Sequence, residues 1–440
     1  MVVVIAVGVA VSYGVRLAEI GAAYKAKMLC SDVFVAGREI DAVLADLVVD
    51  DLSALKLISV SIDTHAKTTT ANLFGLAESN VRYREAFGCA LSDGDAMPAS
   101  FKLKTTKAAN TQLLETSKAV NPNLKVVLDE AFSEPDPEHL RRTRAVVILH
   151  KGRVVAEQYA ADIGPDSPMP GWSMTKSVMN ALAGIMVKEG RLTTHTAALA
   201  GTGLAPDDPR NQITIEHLLH MSSGLAFNEN IADPLSDVSR MILTEPDMAA
   251  FAANMPLQAE PGTHWQYSTG TTNILAAVLR RVLGESAYYE FPGTALFQPL
   301  GMTRALLETD ASGTFAGSSF MYATAREWAR FGLLYLQDGV WEGERILPEG
   351  WVQFSRTPAP ADHNATYGAH FWLNVQEAFA GAGISLPEDA FHAVGHEGQF
   401  ITIIPSRETV IVRLGKTRYS QAWKHDVFVS KVLVALDTVH

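Results

Sequence analysis

Among the polar residues of this chain, the grouping with most chemical content is Gly171-Trp172-Ser173-Met174-Thr175-Lys176-Ser177. If a helix starts there, Ser173 and Lys176 stand at i and i+3, one turn apart on one face, with Ser173 at the positive end of the helix dipole. A serine hydroxyl is a weak nucleophile until a base takes its proton, and a lysine serves as that base when burial and neighbouring positive potential lower its pKa. The backbone N–H at the helix start can face a developing oxyanion. The spacing alone carries little weight, because Ser-x-x-Lys recurs at Ser53-Ala54-Leu55-Lys56, where a turn leading into a strand accounts for it. Ser173 is distinguished by two further groupings downstream of it.

The segment His264-Trp265-Gln266-Tyr267-Ser268-Thr269 comes after Pro261-Gly262, which presents Tyr267 on a loop before a helix carrying Leu275 and Leu279. A tyrosine there can relay a proton between the serine and a leaving group, with its pKa lowered by an adjacent lysine. A purely structural tyrosine is the alternative. Further on, Gly395-His396-Glu397-Gly398-Gln399 leads into an apolar strand at 400–404, and glycines at a strand start let substrate approach backbone N–H groups. His396 is then either a donor into the cleft or a polar residue at a strand end. Glu397 points the other way in an extended segment and is assigned no role. Trp172 either lines the pocket or packs in the core ahead of the helix. His217 and His220 have helical spacing but no acidic constellation after them, so packing fits them better than metal binding, and no metal or cofactor is called for.

Positioning such residues takes a full enzyme core, and 440 residues with 48% hydrophobic and 19% charged content supply one. Lys and Arg total 36 against 48 Asp and Glu, a net charge of -12, which is a poor match to polyphosphate and argues against nucleic acid as a partner. Short alternating strands are predicted across 56–90, and a polar connector across 96–124. A hairpin comes next, with 145–150 and 153–159 flanking the turn Lys151-Gly152. Helices are predicted from Ser173 to the stop at Gly190, after a Thr214 cap, after the capping box Thr324-Ala325-Arg326-Glu327, and over 423–436. A second hairpin brackets Pro405-Ser406-Arg407. Strands at both ends of the large unit with helices between them describe an α+β fold, an antiparallel sheet flanked by helices with a helical subdomain, and not repeating βαβ units.

The first fifteen residues carry no charge. They read as the apolar region of a secretory signal or an inner-membrane anchor, giving the expectation of an exported, periplasmic or membrane-attached protein; a buried N-terminal strand is the alternative. Only two cysteines occur, Cys30 and Cys89, too few for a Cys-rich metal site. In an exported protein they would pair; two buried free thiols are the other possibility. The organisation expected is therefore a signal or anchor at 1–15, a small β-containing module at 16–95, a linker at 96–124 and a large domain at 125–440.

Ser173-Met174-Thr175-Lys176, Tyr267-Ser268-Thr269 and His396-Glu397-Gly398, in this order, resemble the three motifs of the serine β-lactamase and penicillin-binding protein superfamily. The resemblance covers about residues 125–440 and looks closest to the class C-like branch with its esterases, D-amino-acid peptidases and 6-aminohexanoate-dimer hydrolases. It is supported by Thr214-Ile215-Glu216-His217-Leu218-Leu219-His220-Met221-Ser222-Ser223-Gly224-Leu225. The resemblance implies a β-lactamase/transpeptidase-like fold. It also implies Ser173 as acylated nucleophile, Lys176 as base, Tyr267 as proton shuttle, and the backbone N–H groups of Ser173 and Gln399 as oxyanion hole; neither donor depends on its side chain, so mutating Gln399 should say little about the hole. His396, Gly398, Thr269 and Trp172 would contact substrate. Two departures weigh against a dedicated β-lactamase: Thr269 stands where Asn is common, and His396 where Lys is usual, and a largely neutral histidine is a poorer carboxylate anchor. The expected activity is hydrolysis of a small ester or linear amide. A peptidoglycan D-amino-acid peptidase or weak β-lactamase is the alternative within this chemistry, and a non-catalytic cell-wall or partner-binding protein is the alternative outside it.

Overall fold

A computed structural model describes residues 2–92, 121–375, 379–381 and 384–438, and for 2–11, 50 and 51 the backbone alone. The chain begins with α1 (Val2–Phe34), a 33-residue helix, followed by α2 (Ile40–Asp46). A meander of β1 (Ser59–Asp63), β2 (Thr68–Leu73), β3 (Ala77–Arg84) and β4 (Gly88–Leu91) comes next, each strand antiparallel to its successor. Small residues Ala22, Ala26 and Cys30, spaced by one helical turn, let α1 lie close against Ala71, Val81 and Cys89 of the sheet. Cys30 and Cys89 are joined as a disulfide with Cα atoms 6.0 Å apart. On another side of α1, Ile20, Ala23, Met28 and Leu29 enter the core of the large unit.

The reading of the apolar start as an inner-membrane anchor is overturned, and with it the expectation of an exported or periplasmic location. The segment is the first half of a helix that continues unbroken through Arg16, Glu19, Lys25, Lys27 and Asp32. Among the described residues no helix is long and apolar enough to cross a membrane. The expected linker falls almost wholly outside the described residues. Its last positions form the Asn121 cap, whose side chain accepts from the N–H groups of Asn123 and Leu124.

The large unit opens with α3 (Pro122–Ala131) and the hairpin β5 (Thr143–His150) and β6 (Arg153–Tyr159). Lys151 and Gly152 both take positive φ, 52° and 74°, as a two-residue turn of this hand requires. The short strand β7 (Met169–Pro170) then leads into α4 (Met174–Lys188). Beyond it lies a helical subdomain: α5 (Ile215–Leu219), α6 (Asp237–Thr244), α7 (Met248–Ala253), α8 (Thr269–Leu283) and α9 (Glu285–Phe291). The strands β8 (Leu306–Leu307) and β9 (Met321–Ala323) pair beside β7, and α10 (Ala325–Leu336) starts at a capping box between Thr324 and Glu327. After the ribbon β10 (Val340–Trp341) and β11 (Glu344–Arg345) and the helix α11 (Trp351–Ser355), the chain returns through β12 (Phe391–Gly395), β13 (Gln399–Ile404) and β14 (Thr409–Gly415), and ends in α12 (His425–Asp437).

The main sheet has the order β12-β13-β14-β5-β6, antiparallel throughout. Alternate residues of each strand serve opposite faces. Val147, Leu149, Ile401, Ile403, Val410 and Val412 meet Trp328 and Phe331 of α10 and Met174 and Val178 of α4. Val146, Ile148, Phe400, Ile404 and Ile411 meet Leu124 and Leu128 of α3 and Val429, Val432 and Leu433 of α12. Helices on both faces are why these antiparallel strands read as nearly unbroken apolar runs.

The N-terminal unit is fastened to this body by buried charge. Lys27 pairs with Glu308, whose carboxylate also accepts from Ser31 Oγ at 2.9 Å and the Cys89 N–H at 2.7 Å. Arg38 reaches Asp46 at 2.7 Å, and Arg144 of β5 reaches the same carboxylate at 2.8 Å.

Candidate active site

The turn before α4 holds the residue ahead of Ser173 in an uncommon backbone conformation. Trp172 has φ of 47°, the left-handed region a bulky side chain avoids. It is held there because its carbonyl accepts from Thr175 N–H at 2.9 Å and Thr175 Oγ1 at 2.7 Å, while its buried indole lies against the rings of Phe320 and His396, 5.9 Å and 5.3 Å away. Constraint of this kind concentrates at functional sites. It delivers Ser173 to the first turn of α4.

One turn on, Lys176 is buried, and its Nζ lies 2.9 Å from Ser173 Oγ, 3.1 Å from Thr269 Oγ1 and 3.0 Å from the Ser318 carbonyl oxygen. A neutral amine has two N–H donors and one lone pair. With the donors on Thr269 and Ser318, the lone pair faces the Ser173 hydroxyl proton. Burial pushes the Lys176 ammonium down to about 8, against the opposing pull of Glu229.

Tyr267 stands on the loop before α8, its ring centroid 5.0 Å from Lys176 Nζ and its hydroxyl hydrogen-bonded to Ser173. Here the expected direction of the pKa is reversed. Burial, then the Glu229 charge, push the tyrosine well above its ordinary range, and the Ser173 hydrogen bond offsets only part of this. Tyr267 therefore remains a neutral hydroxyl, a donor and acceptor at once. Its ring belongs to an aromatic wall with Trp372, at 5.4 Å, and Tyr367, at 5.8 Å.

The third motif is a tight turn between β12 and β13 and not the extended strand start expected. Gly395 pairs with Gln399, and the residues between include Glu397 and Gly398 at φ of 61° and 78°. A side chain on Gly395 would stand 2.2 Å from the Gly171 carbonyl oxygen, so the absence of one is what allows this turn to approach the segment leading into Ser173. At Gly398 the positive φ itself favours glycine, and buried Arg413 donates to its carbonyl at 2.7 Å. Glu397, given no role from sequence, is buried beside Arg418 at 3.1 Å. Burial raises its pKa, but Lys416, His396 and Arg418 outweigh that and hold the carboxyl below the usual range.

The Gln399 side chain is engaged within the turn. Its Nε2 donates to the carbonyls of Gly415, at 2.7 Å, and His396, at 3.0 Å, and its Oε1 accepts from Gly415 N–H at 3.0 Å. It ties the turn to β14. His396, half-buried, has Nε2 3.3 Å from Arg418 Nη1. Arginine only donates, so in this contact Nε2 is the acceptor.

Thr269 is not presented to the cleft. It is 2% exposed and lies beneath Lys176, where its N–H donates to Glu229 Oε2 at 2.7 Å and its hydroxyl is hydrogen-bonded to Glu229 Oε1. Its expected substrate contact is thus replaced by an internal one. Sequence reasoning missed Glu229 altogether, since it stands in a polar loop, 226–236, with no spacing relation to any motif. The Ser318 carbonyl was also invisible, being backbone.

His217 closes a capping box with Thr214, and His220 packs on Phe354 at 4.9 Å between centroids, its pKa lowered by burial to about 4. Among the described residues no group of three or more His, Cys, Asp or Glu side chains has the arrangement of a metal site.

Comparison with known proteins agrees with this geometry. A family model described as Beta-lactamase matches residues 128–429. A 6-aminohexanoate-dimer hydrolase of Paenarthrobacter ureafaciens is 28% identical over 301 residues, covering 62% of this chain and 72% of that protein. Among solved structures, one assigned as a 6-aminohexanoate-dimer hydrolase from Bacillus anthracis superimposes with a TM-score of 0.60 at 20% identity, covering 75% of this chain and 89% of the other. A penicillin-binding protein homologue from Caulobacter crescentus gives 0.54 at 17% identity, covering 75% of this chain and 100% of the other. At these identities the structural likenesses establish the fold.

Proposed function

Because this chain belongs to the beta-lactamase family and is a serine hydrolase in the general sense, we propose that it cleaves a small ester or linear amide through an acyl-enzyme on Ser173. The observation that carries the reading is the contact of Lys176 Nζ with Ser173 Oγ at 2.9 Å, made by a lysine whose burial favours the neutral base. Lys176 takes the hydroxyl proton as Ser173 attacks the carbonyl carbon. Tyr267, neutral and bonded to the same serine, passes a proton to the leaving alkoxide or amine and then takes part in activating the water that releases the acyl group. The backbone N–H groups of Ser173 and Gln399 receive the oxyanion.

The relative's named substrate, a 6-aminohexanoate dimer, is a linear amide and falls within this class. Supporting the ordering over a β-lactam substrate is the third motif, where His396 stands in place of a lysine and the nearby cation, Arg418, is paired with Glu397. The aromatic wall of Tyr267, Tyr367 and Trp372 offers an apolar flank to an acyl chain.

The test is labelling by a serine-directed phosphonate, located by peptide mass spectrometry, with turnover measured on short-chain esters, aminohexanoate dimers, D-amino-acid amides and a chromogenic cephalosporin. Label on Ser173, loss of turnover in Ser173→Ala and preference for esters or linear amides are expected. Folded protein that leaves Ser173 unlabelled refutes the nucleophile, and rapid turnover of the cephalosporin reverses the substrate assignment.

A further inference from the structure

Glu229 lies where no motif directs attention, yet its carboxylate is the only acidic side chain that the described residues bring onto the Lys176 and Thr269 pair. It reaches the site from loop 226–236, whose position is fixed from both ends. Asn228 N–H donates to Asp237 Oδ2 at 2.9 Å, Val238 N–H donates to the Asn228 carbonyl at 3.1 Å, and Leu225 bridges to Leu257. Both carboxylate oxygens then meet Thr269, one at the backbone N–H and one at the hydroxyl. Because Lys176 donates to Thr269 Oγ1, that oxygen's own proton points on to Glu229, and the three groups form one directional chain, ammonium to hydroxyl to carboxylate. The same contact places the Glu229 carboxyl at the first turn of α8, the end of that helix that favours negative charge; burial raises its pKa, opposed by the Lys176 charge and the two Thr269 hydrogen bonds.

We propose that Glu229 is a positioning and charge-balancing residue for the reaction: acting through the Thr269 hydroxyl, it stabilises the ammonium that Lys176 becomes on accepting the Ser173 proton. The proposal rests on the reading of Lys176 as base. A buried lysine that gains a proton in the transition state develops charge in a low-dielectric site, and a fixed anion one hydroxyl away is stabilising at that moment. The other groups facing Lys176 do not supply that charge. Tyr267, on the loop before α8, stays neutral. His370, in the segment after Tyr367, has Nδ1 2.8 Å from the Lys176 carbonyl oxygen and is pushed down to about 3, chiefly by burial, so it is uncharged. Tyr367 is buried and pushed well above its ordinary range, and the segment carrying Ser318 presents a carbonyl.

The experiment measures the rate of Ser173 modification by a neutral aryl phosphonate from pH 5 to 10 in the native chain, in Glu229→Gln and in Thr269→Val, with the labelled fraction at completion as a check on intact sites. Glu229→Gln keeps the shape and an acceptor for the Thr269 N–H while removing the charge. Its acid-limb midpoint should fall by about one pH unit, since the ammonium loses its anion, and its plateau rate by about tenfold. Thr269→Val, which cuts the same chain without touching Glu229, should move the midpoint in the same direction, and it decides the matter if Glu229→Gln does not fold. A purely structural role would lower the labelled fraction and leave the midpoint in place. An unmoved or raised midpoint in a folded variant overturns the proposal, whereas absence of labelling in the native chain overturns the assignment of the nucleophile instead.

Discussion

Replacing Lys27 by Met tests whether the N-terminal unit is part of the enzyme's working structure. The Lys27 and Glu308 side chains are 8% and 0% exposed, and Lys27 Nζ donates to Glu308, to Ser31 Oγ at 2.9 Å and to the Cys89 carbonyl at 2.8 Å. Burial pushes the lysine's pKa down and the Glu308 charge opposes that, so the ammonium exists because its partner does. Met keeps most of the volume but strands a carboxylate in the interior, a change that costs about 3–5 kcal/mol. Glu308→Gln strands the ammonium with a loss of similar order. The double variant, with no net buried charge, should lose less than the two single losses added together, giving a coupling of about 2 kcal/mol or more. The assay is urea unfolding of all four proteins. The seam also runs toward the proposed site, because Lys27 Nζ stands 4.3 Å from the centre of the Phe320 ring, which packs on Trp172 beside Ser173. Phosphonate labelling of Ser173 should therefore slow in Lys27→Met even where the protein is fully folded. A single-variant loss below about 1 kcal/mol, with additive double-variant behaviour and unchanged labelling, would refute the reasoning.

The same geometry sets three further outcomes. Since Lys176 must be neutral to accept a proton and its pKa is pushed down to about 8, native labelling should rise about tenfold per pH unit below that value and level off above it, and a flat profile from pH 6 to 9 contradicts the assignment. Gln399→Ala removes three hydrogen bonds, two that tie the third-motif turn to Gly415 of β14 and one to the His396 carbonyl within the turn, and with each contributing about 1 kcal/mol, kcat/KM should fall at least tenfold; activity within twofold of native would show that the turn holds its place without them. The Cys30–Cys89 bond closes a loop of sequence separation 59, for which chain entropy gives about 4 kcal/mol, so reductant should lower the urea midpoint, and coincident curves would show that the bridge contributes little.

The elements most legible in the sequence are those whose cause is local. Lys151-Gly152 gives a turn because both positions can adopt positive φ, Thr324 and Glu327 cap α10 reciprocally, and Ser173 and Lys176 meet because a helix places i and i+3 together. Readings that depended on surroundings fared worse. The apolar start resembled an anchor because a count over fifteen residues stops before Arg16, Glu19, Lys25, Lys27 and Asp32, the charged residues of the same helix. The Tyr267 pKa went the other way because burial and Glu229 outweigh what the neighbouring lysine was expected to contribute. The buried pairing of Glu397 with Arg418 was missed because an extended segment was assumed where a tight turn forms. Glu229 and the Ser318 carbonyl come from segments with no periodic relation to the motifs, and only tertiary packing brings them to Lys176.

The strand order of the main sheet governs when during synthesis the site can exist. β5 pairs with β14, so His150 waits for Thr409, 259 residues later, and the outer pair β12 and β13 joins the sheet only through β14. Ser173, Lys176 and Tyr267 all leave the ribosome before the strand against which their scaffold is registered. The Cys30–Cys89 unit can close its own meander early, yet its buried Lys27 has no partner until Glu308 arrives. Contacts this distant make folding slow and leave apolar β5 and α4 uncovered for much of translation. A nascent chain stopped before residue 409 would therefore carry every residue of the proposed catalytic group and no site in which to use them.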